Sequence, residues 1–319
     1  MTCSALQPPS LHRILARHEG VAVKSSYKPG RAINAGMIAI ALAFAAASSE
    51  AADLKPETIH AFNEYIQRSE ARMAARQPGD NSFLWTDALP PQGRAKAYAN
   101  LKQGQLIVQR SEEGDSSIGI AAPGGGLIHD WTGIVFVPGV TLAQTLALLE
   151  DYDRAAEFYR PDVIKSRLVS RSGDEFRVYL RLTRKEVITA VFDTEYDVQY
   201  TWLDAAHTQS RSYSTRIAEV ERAGESGERD KPAGKNNGFL WRLYTYWRFY
   251  QADGGVYIQC EAISLTRDVP AGLSWLVDPF ITKIPSESLR RTLESTRAAL
   301  RTFPKGEDHD SANGSFSSH

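Results

Sequence analysis

The sequence predicts an α+β fold, because segments with a two-residue period in the middle of the chain precede a long amphipathic helix. Apolar and polar residues alternate over 176–183 and again over 190–202, as they do in half-buried antiparallel strands. Near the C-terminus, Leu289, Leu293 and Leu300 recur at helical spacing. This order indicates an antiparallel sheet that buries one face against helices.

Composition and charge narrow the class of protein. A hydrophobic share of 42% and a formal net charge of −1 over 319 residues are typical of a globular chain and exclude disorder for most of it. The 37 basic and 38 acidic residues leave no basic excess, so we expect no nucleic-acid partner. The two cysteines, Cys3 and Cys260, are too few for a disulfide-stapled scaffold.

The N-terminal region has the order of an export signal. Basic residues within 24–31 precede an apolar run at 35–47, and small residues follow up to Ala51. The run is shorter than the roughly 20 residues of a membrane span, although a buried Ala-rich helix stays an alternative. We expect a signal peptide with a long leader at 1–51, cleavage after Ala51, and a periplasmic or secreted product without a membrane span.

The rest of the chain divides into three parts. Residues 52–103 are expected to form an N-terminal helical extension and linker, with a helix from Pro56 to about residue 76 and an open role. Residues 104–303 carry the sheet and the long helix. Residues 304–319 are polar and are expected to be a disordered tail.

The first half of the main domain begins with a strand at 106–108. A glycine-rich stretch at 122–126 then precedes a strand over 127–137. It lacks the Lys-Ser/Thr of a phosphate-binding loop, so we interpret it as a hairpin turn. Thr141 is the expected N-cap of a helix that continues to Tyr159.

The second half is dominated by strands, expected at 176–183, 190–202, 207–221, 238–251 and 256–266. Asp253-Gly254-Gly255 between the last two is a strong hairpin signal. The C-terminal helix is expected in two pieces, 273–280 and the stretch after Pro285. Strand 238–251 carries bulky residues on both sides, which leaves open the face that could line a cavity.

The chain resembles a known superfamily over about residues 127–303. The segments that carry the likeness are HDWTGIVFVPG (129–139), YSTRIAEVE (213–221), GFLWRLYTYWRF (238–249), GGVYIQCEAISLTRDVPAGLSWL (254–276) and PSESLRRTLE (285–294). They resemble the START-like (SRPBCC, Bet v 1, polyketide-cyclase) superfamily, especially its secreted bacterial members. The resemblance implies a helix-grip fold, in which a curved antiparallel sheet wraps a long C-terminal helix. It also implies a hydrophobic cavity for lipids, sterols, polyketides or similar ligands.

The candidate ligand-binding residues are aromatic or cationic side chains of the expected sheet, together with its cysteine: Phe192, Tyr196, Tyr213, Arg216, Trp241, Arg242, Trp247 and Cys260. Aromatic residues in strands are most often ordinary core, but a curved sheet over one helix leaves a volume that a ligand can fill.

Two readings stay open for the candidate cations. Arg216 and Arg242 either bridge to Glu219 and Glu261 on neighbouring strands or receive a ligand carboxylate or phosphate. Cys260 is either a small buried hydrophobe or a reactive thiol.

Catalytic and metal-binding motifs are absent from the sequence. We find no His-Glu-x-x-His, Gly-x-Ser-x-Gly, Cys-x-x-Cys or nucleotide-binding glycine pattern, so we expect no catalytic residue, metal or cofactor. His129 and Asp130 are adjacent and could pair for acid–base chemistry, although a hydrogen-bonded turn explains them equally simply.

The function expected from these observations is that of an exported binding or carrier protein for a lipid-like hydrophobic small molecule, acting as a monomer. Loops 222–237 and 267–273 are its expected gate. One alternative is a cyclase/aromatase-type enzyme on a polyketide-like substrate, in which His129, Tyr213 or Arg216 moves protons. The other is a cell-envelope protein-interaction module.

Overall fold

The computed structural model describes residues 54–80, 82–111, 119–185, 189–232, 235–268 and 274–303, without the side chains of 80 and 274–283. All of these residues belong to one compact unit. The expected leader 1–51 and tail 304–319 lie outside the described residues, so both stay predictions.

Five helices and ten strands make up the described chain. The helices are α1 (Pro56–Ala74), α2 (Pro91–Lys102), α3 (Leu142–Glu150), α4 (Ala155–Phe158) and α5 (Ser274–Thr302). The strands are β1 (Ile107–Arg110), β2 (Ile120–Ala122), β3 (Gly126–Pro138), β4 (Val163–Ser172), β5 (Glu175–Lys185), β6 (Thr189–Trp202), β7 (His207–Glu221), β8 (Arg229–Asp230), β9 (Arg242–Ala252) and β10 (Gly255–Arg267). Short 3₁₀ turns occur at Pro78–Asp80 and Trp85–Ala88.

The strands form one antiparallel sheet in the order β1-β3-β10-β9-β7-β6-β5-β4, with β2 paired to β3 and β8 paired to β7. Asp253 and Gly254 both have positive φ and close the β9–β10 hairpin, as the Asp-Gly signal predicted. The glycine-rich turn likewise joins β2 to β3, which confirms the hairpin expected there.

The inner face of the sheet, defined here as the face toward α5, packs closely against that helix. Leu289, Leu293 and Leu300 are buried in one cluster with Val135 and Ile258. A Cβ on Gly133 would lie 2.5 Å from Leu293 Cδ1, so the helix reaches β3 where the strand has no side chain. A sheet wrapped on its C-terminal helix is the helix-grip arrangement, which confirms the predicted α+β fold class.

Three expectations about single elements were wrong. The C-terminal helix is one continuous element, because a proline removes one helical hydrogen bond without forcing the chain out of the helix. The helix expected from Thr141 to Tyr159 divides into α3 and α4. Strand β4 was not predicted, since two register shifts along its pairing with β5 break the two-residue period.

The outer face of the sheet is covered by the N-terminal extension. The shared apolar cluster contains Phe62, Tyr65, Ile66 and Met73 of α1 together with Ile128, Trp241, Tyr246, Ile263 and Leu265 of the sheet. A second cluster brings Phe83, Leu84 and Leu101 against Ile134, Phe136 and Tyr257. The extension therefore buries the sheet face that α5 leaves uncovered. This explains why β9 carries bulky residues on both sides.

Polar contacts also tie the extension to the outer face. Arg72 on α1 reaches Glu261 at 2.7 Å and Asp130 at 3.5 Å, and Tyr65 donates to Asp130 at 2.7 Å. Buried Arg248 donates to the carbonyl of Met73 at the end of α1 and to the carbonyl of Phe83, both at 2.5 Å. Its guanidinium thus supplies donors to backbone oxygens near a helix end. No helix in the described part of the chain is long and apolar enough to cross a membrane.

Candidate ligand-binding cavity

A cavity of about 290 Å³ lies between the inner face of the sheet, the α3–α4 region and α5. Its apolar lining comes from three directions. The sheet contributes Val178, Leu180, Leu182, Val198, Leu243, Trp247 and Phe249, and the α3–α4 region contributes Leu148, Leu149 and Ala155. The alternation of β5, β6 and β9 places these residues on one face, because successive side chains of a strand point to opposite sides.

Tyrosine hydroxyls are the main polar groups inside this lining. Tyr152 and Tyr200 form a hydroxyl pair at 3.1 Å, and Tyr159 lies 3.0 Å from Thr296 Oγ1 on α5. The hydroxyl of Tyr196 is buried and has no hydrogen-bond partner among the described residues, although the residue lines the cavity.

The cavity phenols are neutral at physiological pH. Burial raises the pKa of Tyr159 and of Tyr196 to about 12, and it also raises the pKa of Tyr152 and Tyr200. The cavity therefore offers neutral hydroxyl donors rather than phenolate charges.

Charged residues concentrate at one end of the lining. Asp162 lies between Arg291 of α5 at 2.9 Å and Arg184 of β5 at 3.3 Å. The neighbouring residues Arg160 and Glu294 also line the cavity and are exposed to solvent. Because solvent-exposed and charged groups meet here, this end is the mouth of the cavity.

Four of the predicted ligand-binding residues lie on the inner face. Tyr196 and Trp247 line the cavity. Phe192 is buried with Val163 and Leu182 beside it, and Cys260 is buried in the cluster under α5; neither is a lining residue. Burial raises the pKa of the Cys260 thiol, which suits a small hydrophobe rather than a reactive nucleophile.

The other four predicted residues lie on the outer face, which corrects their expected place in the cavity. Tyr213 and Trp241 pack in the cluster with α1. Arg242 donates to the carbonyl of Trp241 at 2.9 Å, and half-exposed Arg216 pairs with Asp230 of β8. The parity of β7 and β9 could not reveal this, because both faces of the sheet carry aromatic residues.

The expected carboxylate partners of the two arginines have other contacts. Glu219 binds Lys231 Nζ at 3.0 Å and accepts the backbone N–H of Asn237 at 2.8 Å. Glu261 binds Arg72 at 2.7 Å. The bridges Arg216–Glu219 and Arg242–Glu261 are therefore replaced by partners from β8, the 231–237 segment and α1.

The residues named for the enzyme alternative are not brought together. His129 lies on the inner side of β3, with Nε2 at 3.1 Å from Thr266 Oγ1, while Asp130 points to the other face and accepts from Tyr65. Tyr213 contacts Glu70 of α1, and Arg216 lies beside β8. Among the described residues, no group of three or more metal-ligating side chains is close enough to hold a metal ion.

Several cavity residues were missed by sequence reasoning. Tyr152 and Tyr159 were assigned only to a helical stripe, and Arg291 was placed on the solvent side of its helix. Asp162 and Arg184 carried no pattern at all, since they approach Arg291 only after β4 and β5 fold against α5.

Comparisons with known proteins returned structures but no sequence family. No family model matches the chain, and no curated protein matches it. The STAR-related lipid transfer protein of Xanthomonas axonopodis is similar at 17% identity and a TM-score of 0.40, over 61% of this chain and 98% of its own.

Two further solved structures show similar values. Human STARD10 is similar at 11% identity and a TM-score of 0.40, over 68% of this chain and 82% of its own. The Zhui aromatase/cyclase of Streptomyces sp. R1128 is similar at 11% identity and a TM-score of 0.38, over 55% of this chain and 94% of its own. All three names belong to the START-like superfamily that the sequence resembles.

Proposed function

We propose that the protein binds a hydrophobic small molecule in the cavity between its sheet and α5. The observation that carries this proposal is an apolar volume of about 290 Å³ inside the main core. Protein interiors are otherwise packed with few voids larger than a water molecule, so such a volume is a feature to be filled. Ligand pockets are mostly apolar with a few polar groups, which is the composition of this lining.

The size of the cavity narrows the ligand. About 290 Å³ is at the lower end of the ~300–1,000 Å³ range of ligand pockets. A compact ring system or one short acyl chain suits this volume better than a lipid with two long chains. The carrier acts as a monomer in this proposal, because the cavity is completed within one chain.

The ligand enters by the mouth around Asp162 rather than through the loops first considered. None of the described residues of 222–237 or 267–268 lines the cavity, whereas Arg160, Asp162 and Arg291 do. Opening therefore requires the Asp162–Arg291 contact between the β4 entry and α5 to separate.

Export is part of the same proposal and has its own test. The basic flank and apolar run before Ala51 support cleavage there. Intact-mass measurement of protein recovered from outside the cytoplasm of its host should give a chain that begins at Ala52. A full-length mass confined to the cytoplasm would contradict export without affecting ligand binding.

Ligand binding is tested by filling the cavity. Val198 lines it, so Val198→Trp should block the volume and reduce the bound small-molecule mass in native mass spectrometry by at least tenfold. Val169→Trp is the matched control, because Val169 is 41% exposed on the edge strand β4. Wild-type protein purified without any bound mass, or equal occupancy in Val198→Trp, would refute the proposal.

A further inference from the structure

A row of hydroxyl groups crosses the apolar floor of the cavity. Tyr196 lies on β6, Ser210 and Ser212 lie on β7, and Thr245 lies on β9, and all four line the cavity. Ser212 is the direct cross-strand partner of Thr245, and Tyr196 is one pair away diagonally, because Ser212 pairs with Val198. Neighbours at these register positions are within reach of one ligand group.

Tyr196 is the member of this row that the protein itself does not satisfy. Its side chain is 95% buried, since its relative exposure is 5%, and its hydroxyl has no partner among the described residues. Buried polar groups in folded proteins are nearly always hydrogen-bonded, so an unpartnered donor that lines a cavity indicates an acceptor brought by a ligand.

The surrounding groups specify the chemistry of that acceptor. A pure hydrocarbon would leave the Tyr196 hydroxyl unsatisfied when it displaces water from the cavity. An anionic group would need a buried cation, and the cations that line the cavity, Arg160, Arg184 and Arg291, lie at the mouth around Asp162. A neutral oxygen fits the floor, because hydroxyls can donate to it without a compensating charge.

We propose that the natural ligand is a neutral oxygenated hydrophobe, a ring ketone or alcohol, whose oxygen accepts a hydrogen bond from Tyr196 beside Ser212 and Thr245. This inference rests on the proposed function, because it names the ligand class of the same cavity. Tyr196 is then the residue that selects among apolar molecules of similar size.

Three tricyclic probes of nearly equal size test the selection: 9-fluorenone, fluorene and fluorene-9-carboxylate. Binding to the wild-type protein is measured by calorimetry and by quenching of Trp247, which lines the cavity. One net hydrogen bond corresponds to roughly tenfold in affinity, so 9-fluorenone should bind about tenfold more tightly than fluorene. The carboxylate should bind most weakly.

The variant Tyr196→Phe should remove the preference for the ketone. Affinity for 9-fluorenone should fall about tenfold while affinity for fluorene stays unchanged, because the ring surface is retained. Tyr159→Phe is the matched control, since the Tyr159 hydroxyl already bonds to Thr296, and it should keep the ketone preference. Without ligand, Tyr196→Phe should unfold at the same temperature as the wild type or at a higher one.

The outcomes separate this inference from the proposed function. Equal binding of ketone and hydrocarbon, tightest binding of the carboxylate, or a loss of ketone preference in both tyrosine variants would overturn the inference and leave a hydrophobic-ligand protein. Lower thermal stability of ligand-free Tyr196→Phe would also overturn it, because the hydroxyl would then have a structural partner. Absence of binding by all three probes, together with no copurified mass, would overturn the proposed function as well.

Discussion

Gly133 sets how closely α5 approaches the sheet. A Cβ at this position would lie 2.5 Å from Leu293 Cδ1 and 3.2 Å from Leu289 Cγ, which is closer than real side chains pack. Gly133→Ala should therefore displace the helix and destabilise the protein by about 2–3 kcal/mol. Urea unfolding measures the change. Gly79→Ala is the control, because nothing lies within 4 Å of its added Cβ, and equal stability of the two variants would contradict the packing described here.

Asp193 links stability to acid pH. Burial favours a higher pKa for this carboxyl, but hydrogen bonds from Arg181, at 2.6 and 2.7 Å, and from Tyr179 outweigh it and lower the pKa. A lowered carboxyl pKa gives stability that is present above the unfolded value of about 3.9 and lost as pH falls through the folded value.

We therefore expect Asp193→Asn to cost about 2 kcal/mol near neutral pH, with the difference from wild type shrinking below about pH 4. Chemical unfolding across this pH range measures it. Asp197→Asn on the same strand is the control, because Asp197 meets Arg177 at an exposed position and should matter little. A cost for Asp193→Asn that stays constant down to pH 2 would refute the link.

Residue identity alone could predict which side chains are buried but not which face they reach. Tyr196 and Tyr213 both lie in alternating strands, yet one lines the cavity and the other packs on α1. The usual rule that one sheet face is polar fails here, because the extension makes the outer face a second core. The side chains at the mouth could not be predicted, since Asp162, Arg184 and Arg291 come together only in three dimensions.

At the scale of elements, Arg72 is the main ionic contact between α1 and the sheet. It contacts Glu261 and Asp130, whose side chains are 4% and 1% exposed. Replacing Arg72 with methionine keeps the apolar stem but removes the cation from two buried carboxylates, which should destabilise the protein by about 2–4 kcal/mol.

Thermal unfolding of Arg72→Met against Arg68→Met checks this prediction. Arg68 is exposed one turn earlier on α1 and contacts the ring of Tyr65 only through a cation–π interaction, so its replacement should cost less than 1 kcal/mol. Equal effects of the two substitutions would show that the contact contributes little to holding the helix.

The elements that sequence could predict are those with an undisturbed period. Strands β5 and β6 alternate regularly and were placed to within a few residues, and the Thr141 cap correctly marked the start of α3. Strand β4 escaped because its register shifts place basic residues where a regular strand would repeat apolar ones. The continuity of α5 escaped because prolines within a helix and prolines at its ends look alike in sequence.

At the scale of the whole molecule, the sheet is a central layer with different tasks on its two faces. Its inner face carries α5 and leaves a cavity of about 290 Å³, while its outer face is filled by α1, α2 and the 3₁₀ turns. A sheet that carries a cavity on one side loses packing contacts there. The extension gives the same strands a second apolar layer, which compensates by burying their opposite side chains.

This architecture predicts that the extension and the sheet unfold together. Because Phe62 and Tyr65 share a buried cluster with Ile263 and Leu265, separating α1 exposes core residues of β10 as well. Hydrogen exchange followed by mass spectrometry at increasing urea should show peptides from 56–74 and 255–267 losing protection at one common concentration. A peptide from the exposed 222–228 segment is the control and should exchange without urea. If α1 lost protection well before β10, the extension would be a separable unit, and its cover of the outer face would contribute little to the stability of the cavity-bearing sheet.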